Sequence, residues 1–111
     1  MSSKKVLAPY RLLTSQAMAS DFQSSVTNVQ FMDRVSYSVV WTGSAVGTLI
    51  VQSSLDGTNW TDLDMNQIVM ANADDTAVID IAATGIPQLR LSYTATSGTG
   101  SLDAYVSAKE S

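Results

Sequence analysis

Neither cysteine nor histidine occurs in this chain of 111 residues. The first absence excludes a disulfide framework and thiolate chemistry. The second excludes a Ser-His-Asp triad, histidine metal ligands and an imidazole base. Charged side chains fall to 14%, well below the usual ~25%. Their balance is acidic, with Lys+Arg 6 against Asp+Glu 10. Lys4-Lys5 is the longest basic run, so no basic face for nucleic acid is expected. Apolar runs are also short: Val39-Val40-Trp41 and Leu49-Ile50-Val51 do not approach the ~20 residues of a membrane-spanning helix. After Lys4-Lys5, the stretch Val6-Leu7-Ala8 is interrupted at once by Pro9, Tyr10 and Arg11. No secretory leader is therefore expected, and the chain is expected to start at Met1 or Ser2 and to act without secretion.

Hydroxyls are abundant: Ser and Thr together make 27 of 111 residues, so polarity is carried largely by uncharged groups. At this length one domain is expected, burying ~65% of its unfolded surface. Alternation then sets the fold class. Val35, Tyr37, Val39 and Trp41 share one phase, and Val40 breaks it. The run from Thr48 to Ser54 is β-branched and is expected to return antiparallel to it as a hairpin. Asp56-Gly57 is the strongest turn signal in the chain, followed by a short strand at 60–63. Further strands are expected at 67–70, 76–81, 88–94 and 101–108. The last two carry Leu89, Leu91 and Tyr93, then Leu102, Ala104, Val106 and Ala108, in clean alternation.

The first 34 residues read differently. Val6 to Leu13 reads as strand or extended arm, and 15–20 has helix formers for only a single turn. Phe22, Ser24, Val26 and Asn28 alternate towards Val29-Met32, as one or two strands. The expectation is an all-β chain: an antiparallel β-sandwich of jelly-roll or Greek-key type with seven to nine short strands over 21–111, preceded by an N-terminal arm over 1–20. Val39, Trp41, Leu49, Val51, Leu89, Leu91, Tyr93 and Val106 are its expected core.

No motif dictates a chemistry. The stretch from Asp56 to Asp64 is dense in acids, but it lacks the ligand spacing of an EF-hand loop and reads as a hairpin with a solvated face. Asp62, Asp64, Asp74 and Asp80 would have to meet across a cleft to act as a glycosidase pair, which is a demanding requirement for so small a chain. Asn59-Trp60-Thr61 matches a glycosylation sequon by accident of the hairpin, and 96–100 lacks the lysine and helix of a phosphate loop. No catalytic, cofactor-binding or metal-binding residue is assigned, and no cofactor is expected. Trp60 and Tyr105 are the rings outside the apolar phase, suited to a protein interface or to stacking on sugar.

From Val35 onward the chain resembles small structural proteins of tailed bacteriophages. The resemblance rests on Trp41-Thr42-Gly43, on the run Gly47 to Leu63 with its Gln52-Ser53-Ser54-Leu55-Asp56-Gly57-Thr58-Asn59-Trp60 hairpin, on Leu89-Arg90-Leu91-Ser92-Tyr93-Thr94, on Ser97-Gly98-Thr99-Gly100, and on a terminal strand ending Ser107-Ala108-Lys109. It covers about two-thirds of the chain and leaves out the first 34 residues. It implies a β-sandwich acting as a capsid decoration or cement protein on the virion exterior, assembled in the host cytoplasm. The implied partners are the major capsid protein and further copies of the chain, as homodimer or homotrimer, with neither nucleic acid nor membrane. Val6, Leu7, Tyr10, Leu12 and Leu13 of the arm fit neither period well and Arg11 would meet an acidic partner, so docking on a neighbour is expected of Val6, Leu7, Tyr10, Arg11 and Leu13, together with Trp60 and Tyr105. The alternative, from a different class, is a carbohydrate-binding or adhesion sandwich on a virion surface or tail.

Overall fold

The computed structural model describes residues 6–29, 32–82 and 86–109, and among them nine strands and no helix. These are β1 (Val6–Ala17), β2 (Phe22–Gln23), β3 (Thr27–Asn28), β4 (Arg34–Gly43), β5 (Val46–Ser54), β6 (Thr61–Ala71), β7 (Asp75–Ala82), β8 (Gln88–Ser97) and β9 (Gly100–Lys109). The first sheet has the order β1-β9-β4-β7 and the second β2-β8-β5-β6, with β3 also on β8. All pairings are antiparallel.

The pairings are nested. β5 pairs with β6 around the Asp56-Gly57 turn, β4 with β7, β2 and β3 with β8, and β1 with β9. The chain is thus one long folded ribbon, whose successive rungs fall alternately into the two sheets. β4·β9 and β5·β8 join the rungs within each sheet. That arrangement is a jelly roll, the first of the two topologies expected.

Alternation explains why the ribbon rolls. Each strand has one apolar edge row that leaves water only if two sheets face each other. All eight positions expected in the core are buried: Val39, Trp41, Leu49, Val51, Leu89, Leu91, Tyr93 and Val106. They are joined by Val35, Tyr37, Met70, Ile79, Ile81 and Leu102, among others. Trp41 also donates its Nε1–H to the Ala73 carbonyl at 3.0 Å. Truncating a buried ring of this kind costs ~3–5 kcal/mol.

Three expectations change. The strands on either side of Gly43 do not form a hairpin, because β4 belongs to the first sheet and β5 to the second. The turn between them crosses the sandwich, with Ala45 buried beneath it and Gly43 at φ 104. Gly98, at φ 79, meets that turn so closely that a Cβ would strike the Ser44 carbonyl oxygen. Second, the strands expected at 60–63 and 67–70 are one strand, β6, carried past a register irregularity between the Leu49–Ile68 and Val51–Leu63 pairs. Third, the segment expected as an arm is an edge strand over Val6–Ala17, paired with β9 from Lys109 to Ser101. Leu13 is 9% exposed and belongs to the core, with Leu7 and Leu12 packed against it. The apolar residues that fit neither period do so because β1 carries three register irregularities, each of which resets the phase. Residues 1–5 of the expected arm, and Gln30 and Phe31 of the expected Val29–Met32 strand, lie outside the described residues.

Candidate binding surfaces

With the core consumed by packing, chemistry is left to the outward faces, the edges and the turns. On the outer face of the first sheet, Ser38 stands opposite both Tyr105 and Val78, and Arg11 stands opposite Tyr105. One row therefore reads Arg11, Tyr105, Ser38, Val78 across four strands. Val40 lies in the next row, between Asp103 and Thr76. Tyr105, Val40 and Val78 are 37%, 41% and 64% exposed, a cluster of apolar groups amid small hydroxyls. The Arg11 guanidinium lies 5.0 Å from the Tyr105 ring centroid, and its Nε donates to the phenol oxygen at 3.0 Å.

Towards one end of this face a shallow groove of ≈ 430 Å³ is lined by Leu7, Pro9, Arg34, Ser36, Asp80 and Lys109 among others. The Ser36 hydroxyl donates to the Asp80 carboxylate there. Arg34 and Lys109 are directly opposite each other in the ladder.

The outer face of the second sheet is organised by hydrogen bonds instead. Gln52 donates its Nε2–H to Asp62 at 2.8 Å and accepts the Arg90 Nε–H at 2.8 Å. Arg90 then lies over the Trp60 ring, 4.2 Å from its centroid. Trp60, expected as a free ring, is half-buried with a guanidinium on one face. Such a stack is worth ~0.5–1 kcal/mol at exposed sites, and a sugar using that face would have to displace it.

The turn between β5 and β6 is self-contained. Asp56 accepts the backbone N–H groups of Thr58 and Asn59, and the Asn59 amide, each at 2.8 Å. The Ser54 hydroxyl adds a fourth bond at 3.1 Å. The bonds from Asn59 and Thr58 hold this carboxyl well below the usual carboxylate range. Leu55 projects from the same turn, 78% exposed.

The residues singled out from sequence are thus divided. Arg11 and Tyr105 are brought together on the first sheet, whereas Trp60 belongs to the second. Tyr10 is 40% exposed on β1, Leu7 is half-buried, and Leu13 is withdrawn into the core. Val6 opens β1, and its side chain lies outside those described. Asp62 and Asp80 stand on the outer faces of different sheets, and Asp74 accepts the Gly43 N–H at 2.8 Å, so these carboxylates do not share a cleft. The Asp64 side chain lies outside the description. Among the described residues no group of three or more acidic side chains is assembled for a metal. Sequence reasoning missed Val40 and Val78 as surface groups. Their signal was an apolar residue in the polar phase of a strand. It also missed Arg90 and Gln52, which became partners only through the β5·β8 register.

No family model and no curated protein sequence matches the chain. Solved structures do. The prophage-derived protein YomS of SPBc2 aligns over 96% of both chains, at a TM-score of 0.60 and 12% identity. A chain of infectious bursal disease virus, Gx strain, aligns with 97% of this chain and 32% of its own length, at a TM-score of 0.62 and 12% identity. A carbohydrate-binding module of the CBM4 type aligns with 79% of this chain and 60% of its own, at a TM-score of 0.52 and 11% identity. At these identities the likeness establishes a β-sandwich fold that structural and binding proteins share.

Proposed function

We propose that this chain is a non-enzymatic structural protein of a phage particle, of the capsid decoration type. It docks on the capsid exterior through the outer face of its first sheet. The observation that carries this reading is the apolar cluster of Val40, Val78 and Tyr105, set among hydroxyls on that face. Exposed apolar groups gain by being covered, and the hydroxyls around them accommodate wet contacts. The full-length likeness to a prophage-derived protein supports the particle setting. Assembly in the host cytoplasm accords with the absence of cysteine.

The runner-up is glycan binding on the second sheet. Its support is the line Trp60, Arg90, Gln52, Asp62, a ring beside planar hydrogen-bonding groups. Sedimenting the purified chain with particles of the phage that encodes it separates the two. The expected result is co-sedimentation that Tyr105→Asp weakens by about tenfold or more while Trp60→Ala leaves it intact. Failure to co-sediment overturns the docking reading. Glycan retention lost on Trp60→Ala would put the runner-up in its place.

A further inference from the structure

A β-sandwich has four sheet edges, each a row of unpaired backbone groups that invites another strand unless something blunts it. Three edges here are blunted. β1 carries Pro9, three register irregularities and Ser15 at φ 47. The β2 and β3 edge is broken into two strands of 2 residues each, with the Ser24 hydroxyl accepting the Leu91 N–H between them. β6 carries a register irregularity in its middle and the charged Asp62 beside it. The fourth edge, β7, carries the charged Asp75 and Asp80 but is neither broken nor irregular. Its 8 residues run in unbroken register with β4 from Asp75 to Ala82, without proline, glycine or bulge. Thr76-Ala77-Val78-Ile79-Asp80-Ile81 is rich in β-branched residues. Among the described residues, no backbone–backbone hydrogen bond outside the strand ladders involves β7, and the Thr76 N–H donates to the carboxylate of its neighbour Asp75 at 2.8 Å.

We propose that β7 is a self-association edge, on which a second copy of this chain adds its own β7 antiparallel across a two-fold axis at Val78. The residues choose both the occupant and the register. Thr76, Val78 and Asp80 point outward, and Ile79 and Ile81 inward. Keeping both cores on the same side of a shared sheet requires outward residues to face outward residues. Centring on Asp80 would oppose two carboxylates, and centring on Ile79 would set each carboxylate against Val78. Centring on Val78 pairs Val78 with its own copy and gives each Asp80 the Thr76 hydroxyl of the other copy, with Ala77 against Ile79. Val78 is 64% exposed in the single chain, and its row already continues through Ser38 to Tyr105. Pairing extends that row into one eight-stranded sheet with the apolar cluster doubled at its centre. Apolar pairs directly opposite one another are the favourable unit of such a ladder. The inference stands on the edges alone and does not depend on capsid docking.

The chain has no cysteine, so engineered ones report unambiguously. Sedimentation of the wild-type chain is expected to show a dimer that Val78→Lys converts to monomer, with an unchanged far-UV spectrum. Val78→Cys is expected to cross-link to itself under mild oxidation. Thr76→Cys alone, which faces Asp80 of the other copy, is expected to remain uncross-linked. A wild-type chain that stays monomeric, a dimer that survives Val78→Lys, or cross-linking at Thr76→Cys in place of Val78→Cys each overturns the proposal.

Discussion

The two sheets share one core and differ on their outer faces. Inside, both are built by the same rule, an apolar side chain at every second position. Outside, the first sheet exposes Val40, Val78 and Tyr105 amid hydroxyls, whereas the second carries a connected line from Asp62 through Gln52 and Arg90 to Trp60. Side chains of the second line satisfy one another. On the first, Arg11 rests on Tyr105 and the Ser36 hydroxyl donates to Asp80, while Val40 and Val78 stand exposed. Surface that is already satisfied gains little from a partner, and exposed apolar surface gains by being covered. The contrast favours the proposed docking on the first sheet, and β7, at the margin of that sheet, is where the same logic extends the proposal to a second copy.

The largest expected effect tests whether the first sheet can do without its outer strand. Deleting residues 2–13 removes most of β1, uncovers β9 from Ala104 to Lys109 and takes Leu13 from the core. Small jelly rolls are stable by only ~5–15 kcal/mol, and losing an edge strand with a buried leucine consumes much of that. The truncated chain is expected to lose its cooperative thermal transition. Cooperative unfolding at an unchanged midpoint would return β1 to the status of an appended arm.

That prediction reverses what the sequence suggests, and the reason is physical. Alternation is legible only where strands are regular, as in β4, β8 and β9, where every expected core residue is buried. β1 resets its phase three times, so Leu7, Leu12 and Leu13 look patternless although all three pack inward or against the core. Sheet membership is equally hidden. Gly43-Ser44-Ala45 reads as a hairpin turn and is a crossing between sheets, because the choice depends on which distant strands, β7, β8 and β9, pair with β4 and β5. The surface was half legible. Tyr105 stands out by phase, but the Arg90–Trp60 stack joins residues 30 positions apart through the register of β5 with β8.

A smaller effect distinguishes the inner faces. The first sheet buries Tyr37 with its hydroxyl unpartnered, and desolvation pushes its pKa from 10.0 up to about 12. Tyr93 of the second sheet is shifted the same way by burial. A folded-state pKa raised above the unfolded one favours folding below the unfolded value. That stability is lost as pH rises from about 10 towards about 12, by up to ~2–3 kcal/mol for Tyr37. Urea midpoints of the wild-type chain are expected to fall over this window, and those of Tyr37→Phe to fall distinctly less. Near neutral pH the same substitution is expected to be neutral to slightly stabilising, because it removes a buried hydroxyl with no partner. An identical alkaline decline in both proteins would mean that the Tyr37 hydroxyl is hydrated in solution.

The smallest effect compares the two Arg–aromatic pairs. Arg90 lies 4.2 Å from the Trp60 centroid and is held there by Gln52, and both members are half-buried. Arg11 lies 5.0 Å from the Tyr105 centroid, and both members are exposed. A guanidinium restrained by a second bond loses less side-chain entropy on stacking, and a partly desolvated one feels the ring more strongly. Double-mutant cycles to alanine are therefore expected to give a coupling of ~0.5–1 kcal/mol for Arg90 with Trp60 and less than ~0.5 kcal/mol for Arg11 with Tyr105. Added salt should erode the second coupling more than the first, since exposed charges are screened more readily. Equal couplings would show that the first sheet's face is as self-satisfied as the second's. Tyr105 would then not be held ready for a partner, while the edge pairing at Val78 would be untouched.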